Sequence, residues 1–215
     1  MNPGIIKPIT RKELSMKRKT IFSIVIGLVA VAMLAGLTIF LVNHQQQPQP
    51  QMESHPTQMT VKQFIKEITP AAKAEQKRYH IPASIIIAQA GIESDWGRAK
   101  LAYKYNNLFG MKSSGKQKRV RLYTKETING KTKTVKQSFA VYQSWQASIN
   151  AHAKLILNGT IDNHDRFKGV TKAKDYQTAA YELQKNGYAT DPDYAAKLIY
   201  AIKKFKLNQY DNFNY

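Results

Sequence analysis

Residues 91–112 read GIESDWGRAKLAYKYNNLFGMK. They follow the apolar run IPASIIIAQA (81–90) and set two carboxylates, Glu93 and Asp95, around Ser94, just ahead of Trp96, one of only two tryptophans. Pro82 suits the first turn of a helix, and the run behind it is apolar nearly all round, so residues 82–93 are predicted to form a buried helix. Glu93 ends that helix. At helical spacing it shares a face with Ala90, Gln89 and Ile86. A carboxyl in that setting is desolvated, and its pKa is expected to rise toward that of a proton donor. The opposing reading is a helix-terminal Glu paired with Arg98 or Lys100, with Trp96 a core residue. Spacing alone leaves both open.

Further helices are predicted around this one. Thr60 caps VKQFIKEITPAAKAEQKRYH, whose Val61, Phe64, Ile65, Ile68 and Ala72 recur at helical spacing, with Pro70 a candidate kink. Ser144 opens a helix closed by Gly159, and Asp175 opens one closed by Gly187. Asp191-Pro192 opens a last helix that runs to Lys204. Between residues 118 and 142 the period changes. Asn129-Gly130, flanked by β-branched and aromatic residues, predicts a hairpin in which Ile128 faces Lys131 and Glu126 faces Lys133. The fold class is therefore α+β, a mostly helical domain carrying one β-hairpin lobe.

The domain spans residues 59–215, roughly 155 residues and near the usual size of one domain. Ahead of it, residues 1–20 are basic and are expected to be cytoplasmic. IFSIVIGLVAVAMLAGLTIFLV (21–42) is free of charge and, as a helix, would be about 33 Å long, enough to cross a bilayer. The basic residues before it hold the N-terminus inside, so a single-pass signal-anchor is expected, with the domain facing the cell wall. The competing reading is a secretory signal cleaved at Ala30-Val31-Ala32, but that triplet lies inside the apolar run rather than at its end. Residues 43–58, rich in Gln and Pro, read as a linker.

The chain has 33 Lys and Arg against 14 Asp and Glu, and lacks cysteine. Disulfide, zinc-thiolate and cysteine-nucleophile readings are thereby excluded. Six of the basic residues and one acid precede residue 21, which leaves the outer part at about +14. Such a surface calls for a polyanion. Outside a membrane this points to anionic wall polymers or lipid headgroups, and nucleic-acid binding fails on topology unless the domain is cytoplasmic. His152 and His164 stand too far apart to suggest a metal site, and no motif calls for a cofactor.

ESDWG, NNLFGMK, YTKETINGKTKTVKQSFAVYQSW and GYATDPDYAAKL, in that order, resemble glycoside hydrolase family 73, the bacterial β-N-acetylglucosaminidase autolysins. The resemblance covers roughly residues 60–205. It implies a lysozyme-like fold that cuts peptidoglycan glycan strands after N-acetylglucosamine. It implies Glu93 as the general acid, Glu126 as the second glutamate on the hairpin, and Tyr194 lining the same cleft. Asn107 and Phe109 correspond to positions shaping the cleft floor, and Trp96 stands beside them as a candidate substrate contact. The Gly-Leu-Met-Gln block of lytic transglycosylases is absent, with NNLFG in its place, which favours hydrolysis.

Read without the family, these residues have plainer roles. Asn107 can cap a turn, Phe109 and Tyr194 can simply pack, and Glu126 can be a cross-strand partner of Lys133. The alternative functions are an N-acetylmuramidase or lytic transglycosylase on the same glycan, or a non-catalytic envelope module. A binding module has no need of both acids.

Overall fold

The computed structural model describes residues 59–128 and 131–214, with the backbone alone for 125–128 and 131–132. The basic segment 1–20, the apolar run 21–42, the linker 43–58 and the Asn129-Gly130 turn lie outside the described residues. Among the described residues no helix is long and apolar enough to cross a membrane.

The described residues form seven α-helices, a two-stranded sheet and a 3-10 helix. The helices are α1 (Val61–Tyr79), α2 (Ala83–Glu93), α3 (Lys100–Tyr105), α4 (Trp145–Asn158), α5 (Lys168–Thr171), α6 (Tyr176–Lys185) and α7 (Tyr194–Lys204). The strands β1 (Arg119–Ile128) and β2 (Lys131–Ala140) fall between α3 and α4, and the 3-10 helix (Leu207–Tyr210) follows α7.

Helix α2 is the centre. Every residue from Ala83 to Gly91 is buried, including three isoleucines in succession. Each fully buried isoleucine contributes roughly 1.5–3 kcal/mol. Around it pack α1, α4, α6, α7 and the 3-10 helix. The predicted caps at Thr60, Ser144 and Asp175 are all present. Thr60 forms a full capping box with Gln63. Helix α1 runs through Pro70 without a break.

Pro82 sits at the N-cap of α2 and has no side chain to offer the first amides. The cap arrives from the other end of the chain. Asp211 accepts from the Ser84 amide at 2.8 Å and from the Ser84 hydroxyl at 2.7 Å, and Gln76 Oε1 accepts from the Ala83 amide at 3.0 Å. Asp211→Ala should therefore cost about 0.5–2 kcal/mol, the usual worth of an N-cap, and lower the urea midpoint with an unchanged m-value. An unshifted midpoint would show that Gln76 and water suffice.

The hairpin is antiparallel, and its register is the expected one: Ile128 opposite Lys131 and Glu126 opposite Lys133. Its base is tied to the segment that follows α3 and closed across its own ends. Ala140 N donates to Met111 O at 2.9 Å, Ser113 N to Ser138 O at 3.1 Å, and Val141 N to Lys118 O at 2.9 Å. The NNLFGMK segment thus sets where the hairpin leaves the core.

Candidate active site

Glu93 is the last residue of α2, and the chain reverses directly after it. Asp95, Trp96 and Gly97 all take positive φ, at 49°, 54° and 84°. For the two non-glycine residues this costs roughly 1–2 kcal/mol each. Local bonds offset it. Trp96 N donates to Gly91 O at 2.7 Å, Gly97 N to Ser94 Oγ at 2.8 Å, and Ala99 N to Ser94 O at 2.9 Å. The Trp96 ring lies directly on Gly91, where an added Cβ would stand 2.6 Å from its Cζ3. Only glycine admits the indole there.

Trp96 also meets Phe64 and Phe205 edge-on, at 6.0 and 4.7 Å between centroids. Gly91 and Glu93 lie on nearly opposite faces of α2, so the indole packs on the face away from the carboxyl. Arg98, the alternative partner of Glu93, pairs instead with Asp95 at 2.6 Å.

Glu93 takes its partner from α7. The Tyr194 hydroxyl donates to Glu93 Oε1 at 2.9 Å and accepts from Gln89 Nε2 at 3.1 Å. Gln89 and Glu93 are one turn apart on α2, so a single phenol spans both. Tyr194 is 3% exposed and is the first residue of its helix. Glu93 is itself exposed to solvent at the helix end. The protein crowding its other sides raises its pKa above the ordinary carboxyl value, and the Tyr194 bond opposes part of that rise. Tyr194 itself is held protonated, by desolvation first and then by the charge of the Glu93 carboxylate. It serves as a fixed donor.

Behind Tyr194 the packing continues inward. Tyr188 stacks on Tyr194 at 5.5 Å, and its hydroxyl meets His152 Nε2 at 3.0 Å. His152 is fully buried with its pKa lowered to about 3 by that burial, so it stays neutral. Phe109 stacks on the His152 ring at 3.9 Å and is 6% exposed. Asn107 is 1% exposed and spends its amide on the backbone, donating to Met111 O and Ala140 O and accepting from Met111 N, each at 2.9 Å. Asn107 and Phe109 therefore offer almost no surface to a ligand. Asn107 fixes the base of the hairpin, and Phe109 braces the His152–Tyr188–Tyr194 stack.

Glu126 lies on β1, three residues before the turn, with Lys133 across the ladder. Its side chain lies outside what the structure describes. Among the described residues no group of His, Asp or Glu side chains could hold a metal ion.

The glucosaminidase family model, described as mannosyl-glycoprotein endo-beta-N-acetylglucosaminidase, matches residues 69–207. The chain belongs to this family. The resemblance of its motifs to glycoside hydrolase family 73 is thereby borne out. Among its relatives, the exo-glucosaminidase LytG of Bacillus subtilis is 43% identical over 151 residues, which are 70% of this chain and 54% of LytG. The peptidoglycan hydrolase FlgJ of Escherichia coli K12 is 34% identical over 151 residues, 67% of this chain and 47% of FlgJ. The crystal structure of the catalytic domain of the autolysin Auto from Listeria monocytogenes superposes with a TM-score of 0.66 at 38% identity, covering 72% of this chain and 90% of that one. The chain spans about half the length of the curated relatives it matches.

In this glucosaminidase domain, sequence reasoning singled out Glu93 and Tyr194, placed Gln89 on the same face without a role, set His152 aside as a metal ligand, and passed over Tyr188. A signal was present for the first: Gln89 is the one amide in an otherwise apolar helix, and a buried amide requires a partner. Tyr194→Phe tests the pairing. Removing the donor that lowers the Glu93 pKa should let it rise further, so the alkaline limb of the pH–rate profile should move to higher pH as the maximal rate falls. An unmoved limb would separate Tyr194 from the ionisation of Glu93.

Proposed function

We propose that the chain is a peptidoglycan hydrolase that cleaves the β-1,4 bond following N-acetylglucosamine, held at the outer face of a membrane by residues 21–42. The observation that carries this reading is the Glu93–Tyr194 pair, a carboxyl with a raised pKa at an open helix end, within a glucosaminidase-family domain. The name of the Escherichia coli relative, peptidoglycan hydrolase, supports the substrate.

The chemistry follows from the two carboxylate oxygens. Oε1 is occupied by Tyr194, which leaves Oε2 to carry the proton. Glu93 passes that proton to the leaving O4 as the C1–O4 bond breaks. Water adds to C1, and its proton goes to Glu126. Tyr194 keeps the carboxyl oriented through both events.

The basic balance of the chain suits retention among anionic wall polymers. Digestion of purified sacculi tests the whole reading: reducing ends at N-acetylglucosamine are expected. Reducing ends at N-acetylmuramic acid would make it a muramidase, anhydro ends a transglycosylase, and no release a binding module. The anchor is tested separately. The protein should remain with membranes and keep its basic N-terminus, and an extracellular form beginning near residue 33 would replace the anchor with a cleaved signal.

A further inference from the structure

The positive charge of the chain is unevenly placed. Residues 112–140, the hairpin and the segment leading into it, hold nine Lys and Arg against a single acid, Glu126. That stretch alone supplies +8 of the roughly +14 carried by the outer part of the chain. The strands then sort the charge by face. Side chains alternate along a strand, and the register sets Val120 against Phe139 and Leu122 against Gln137. Leu122 and Phe139 are buried, so theirs is the covered face, and position 126 falls on it by the same alternation. The opposite face carries Arg119 and Arg121 on β1 and Lys136 on β2, where Lys136 stands across from Tyr123. All three cations are exposed. Among the described residues no carboxylate pairs with any of them. They occupy successive same-face positions of the ladder, at steps of about 6.8 Å.

We propose that this outer face of the hairpin is a docking surface for a phosphodiester-linked wall polymer, a linear chain with one negative charge per repeat. The proposal rests on the reading of the protein as a wall enzyme outside a membrane, and it names the partner and the place of contact. Charge complementarity carries it. A row of cations with no carboxylate among them repels itself until an anion arrives, and a linear polyanion meets every member of the row while releasing its counterions. The two arginines present planar forks that take the paired free oxygens of a phosphodiester. The same face argues against nucleic acid. Single strands are held by stacking their bases on open aromatic rings. Tyr123 is the one aromatic residue on this face, and Lys136 Nζ already lies over its ring at 5.6 Å. A polymer without bases needs the cations alone. The row also lies on the face away from position 126, so a docked polymer leaves the face of Glu126 to the glycan.

The test is binding of synthetic poly(glycerol phosphate) to the full-length protein in a non-ionic detergent, measured by calorimetry over a range of salt. Two triple variants are compared. One removes the row, Arg119→Gln with Arg121→Gln and Lys136→Gln. The other removes as many exposed cations from α1, Lys62→Gln with Lys66→Gln and Lys77→Gln, and so changes the net charge equally. The hairpin triple should weaken binding about 100-fold, roughly fivefold per cation, and lower the slope of log K against log salt by about 2. The α1 triple should change binding less than threefold. Circular dichroism checks that both fold, and all six positions are exposed. Absent binding, or equal losses in the two triples, overturns the surface and leaves only net charge. Tighter binding of oligo-dT or of polyglutamate, compared at equal charge, overturns the phosphodiester wall polymer as its partner. The cleavage reading is judged apart from this on sacculi. Hairpin-dependent binding without glycan release keeps the surface and removes the glycosidase, and glycan release without polymer binding does the reverse.

Discussion

Glu93→Gln is expected to lower the rate of glycan release by about 10²–10⁴-fold, the usual worth of general acid catalysis. The replacement is close to isosteric. Its amide oxygen can still accept from the Tyr194 hydroxyl, so the variant should fold and bind glycan as the wild type does. What it lacks is the proton. An alkoxide is a poor leaving group from the anomeric carbon, and in the proposed mechanism Oε2 carries the proton that it needs. The pH dependence follows with its sign. Desolvation raises the Glu93 pKa, so the protonated form persists to higher pH than for an ordinary carboxyl. The rate should hold below that pKa and fall as pH rises through it. In Glu93→Gln this alkaline limb should vanish along with the activity. A folded, fully active variant would remove Glu93 from the reaction.

Glu126→Gln carries the second large expected effect, again about 10²–10⁴-fold if Glu126 deprotonates the attacking water. Exogenous azide makes the assignment specific. Azide needs no deprotonation, so it should restore the rate and give a glycosyl azide of opposite anomeric form, the signature of an inverting reaction. Such a reaction sets its carboxyls roughly 6.5–9.5 Å apart with water between them. A smaller loss, with azide product of retained configuration, would move the nucleophilic work to the acetamido group of the substrate. Near-wild-type activity without azide would leave Glu126 as the cross-strand neighbour of Lys133.

Elements written in local pattern were legible from the sequence. Helix α4 begins after Ser144 and ends at Gly159 as predicted, because a capping hydroxyl and a terminating glycine act within one turn of themselves. The hairpin register follows from Asn129-Gly130, since a two-residue turn dictates every pairing behind it. Helix α2 was legible as a buried segment because its residues are apolar on all faces, and Glu93 stood out as the charge that ends it. The short helices α3 and α5 were not anticipated. Four to six residues are too few for a period to repeat, and tertiary packing alone holds them.

The partners of these elements belonged to the tertiary structure. Nothing near Glu93 in the chain announces that its hydrogen bond comes from Tyr194, 101 residues away, or that Gln89 shares the same hydroxyl. Nothing near Pro82 announces that Asp211, 127 residues from Ser84, caps α2. Trp96 is three residues beyond Glu93, yet its ring covers the Gly91 face because Phe64 and Phe205 are brought there by other helices. Asn107 and Phe109 sit in a loop by sequence and in the core by packing, one tied to the end of β2 and the other stacked on a neutral histidine of α4. Sequence patterning determines which face of a segment must be buried. Which distant groups meet on that face is decided by how the helices cross, since burial leaves each polar atom to find its bond among whatever neighbours the packing supplies.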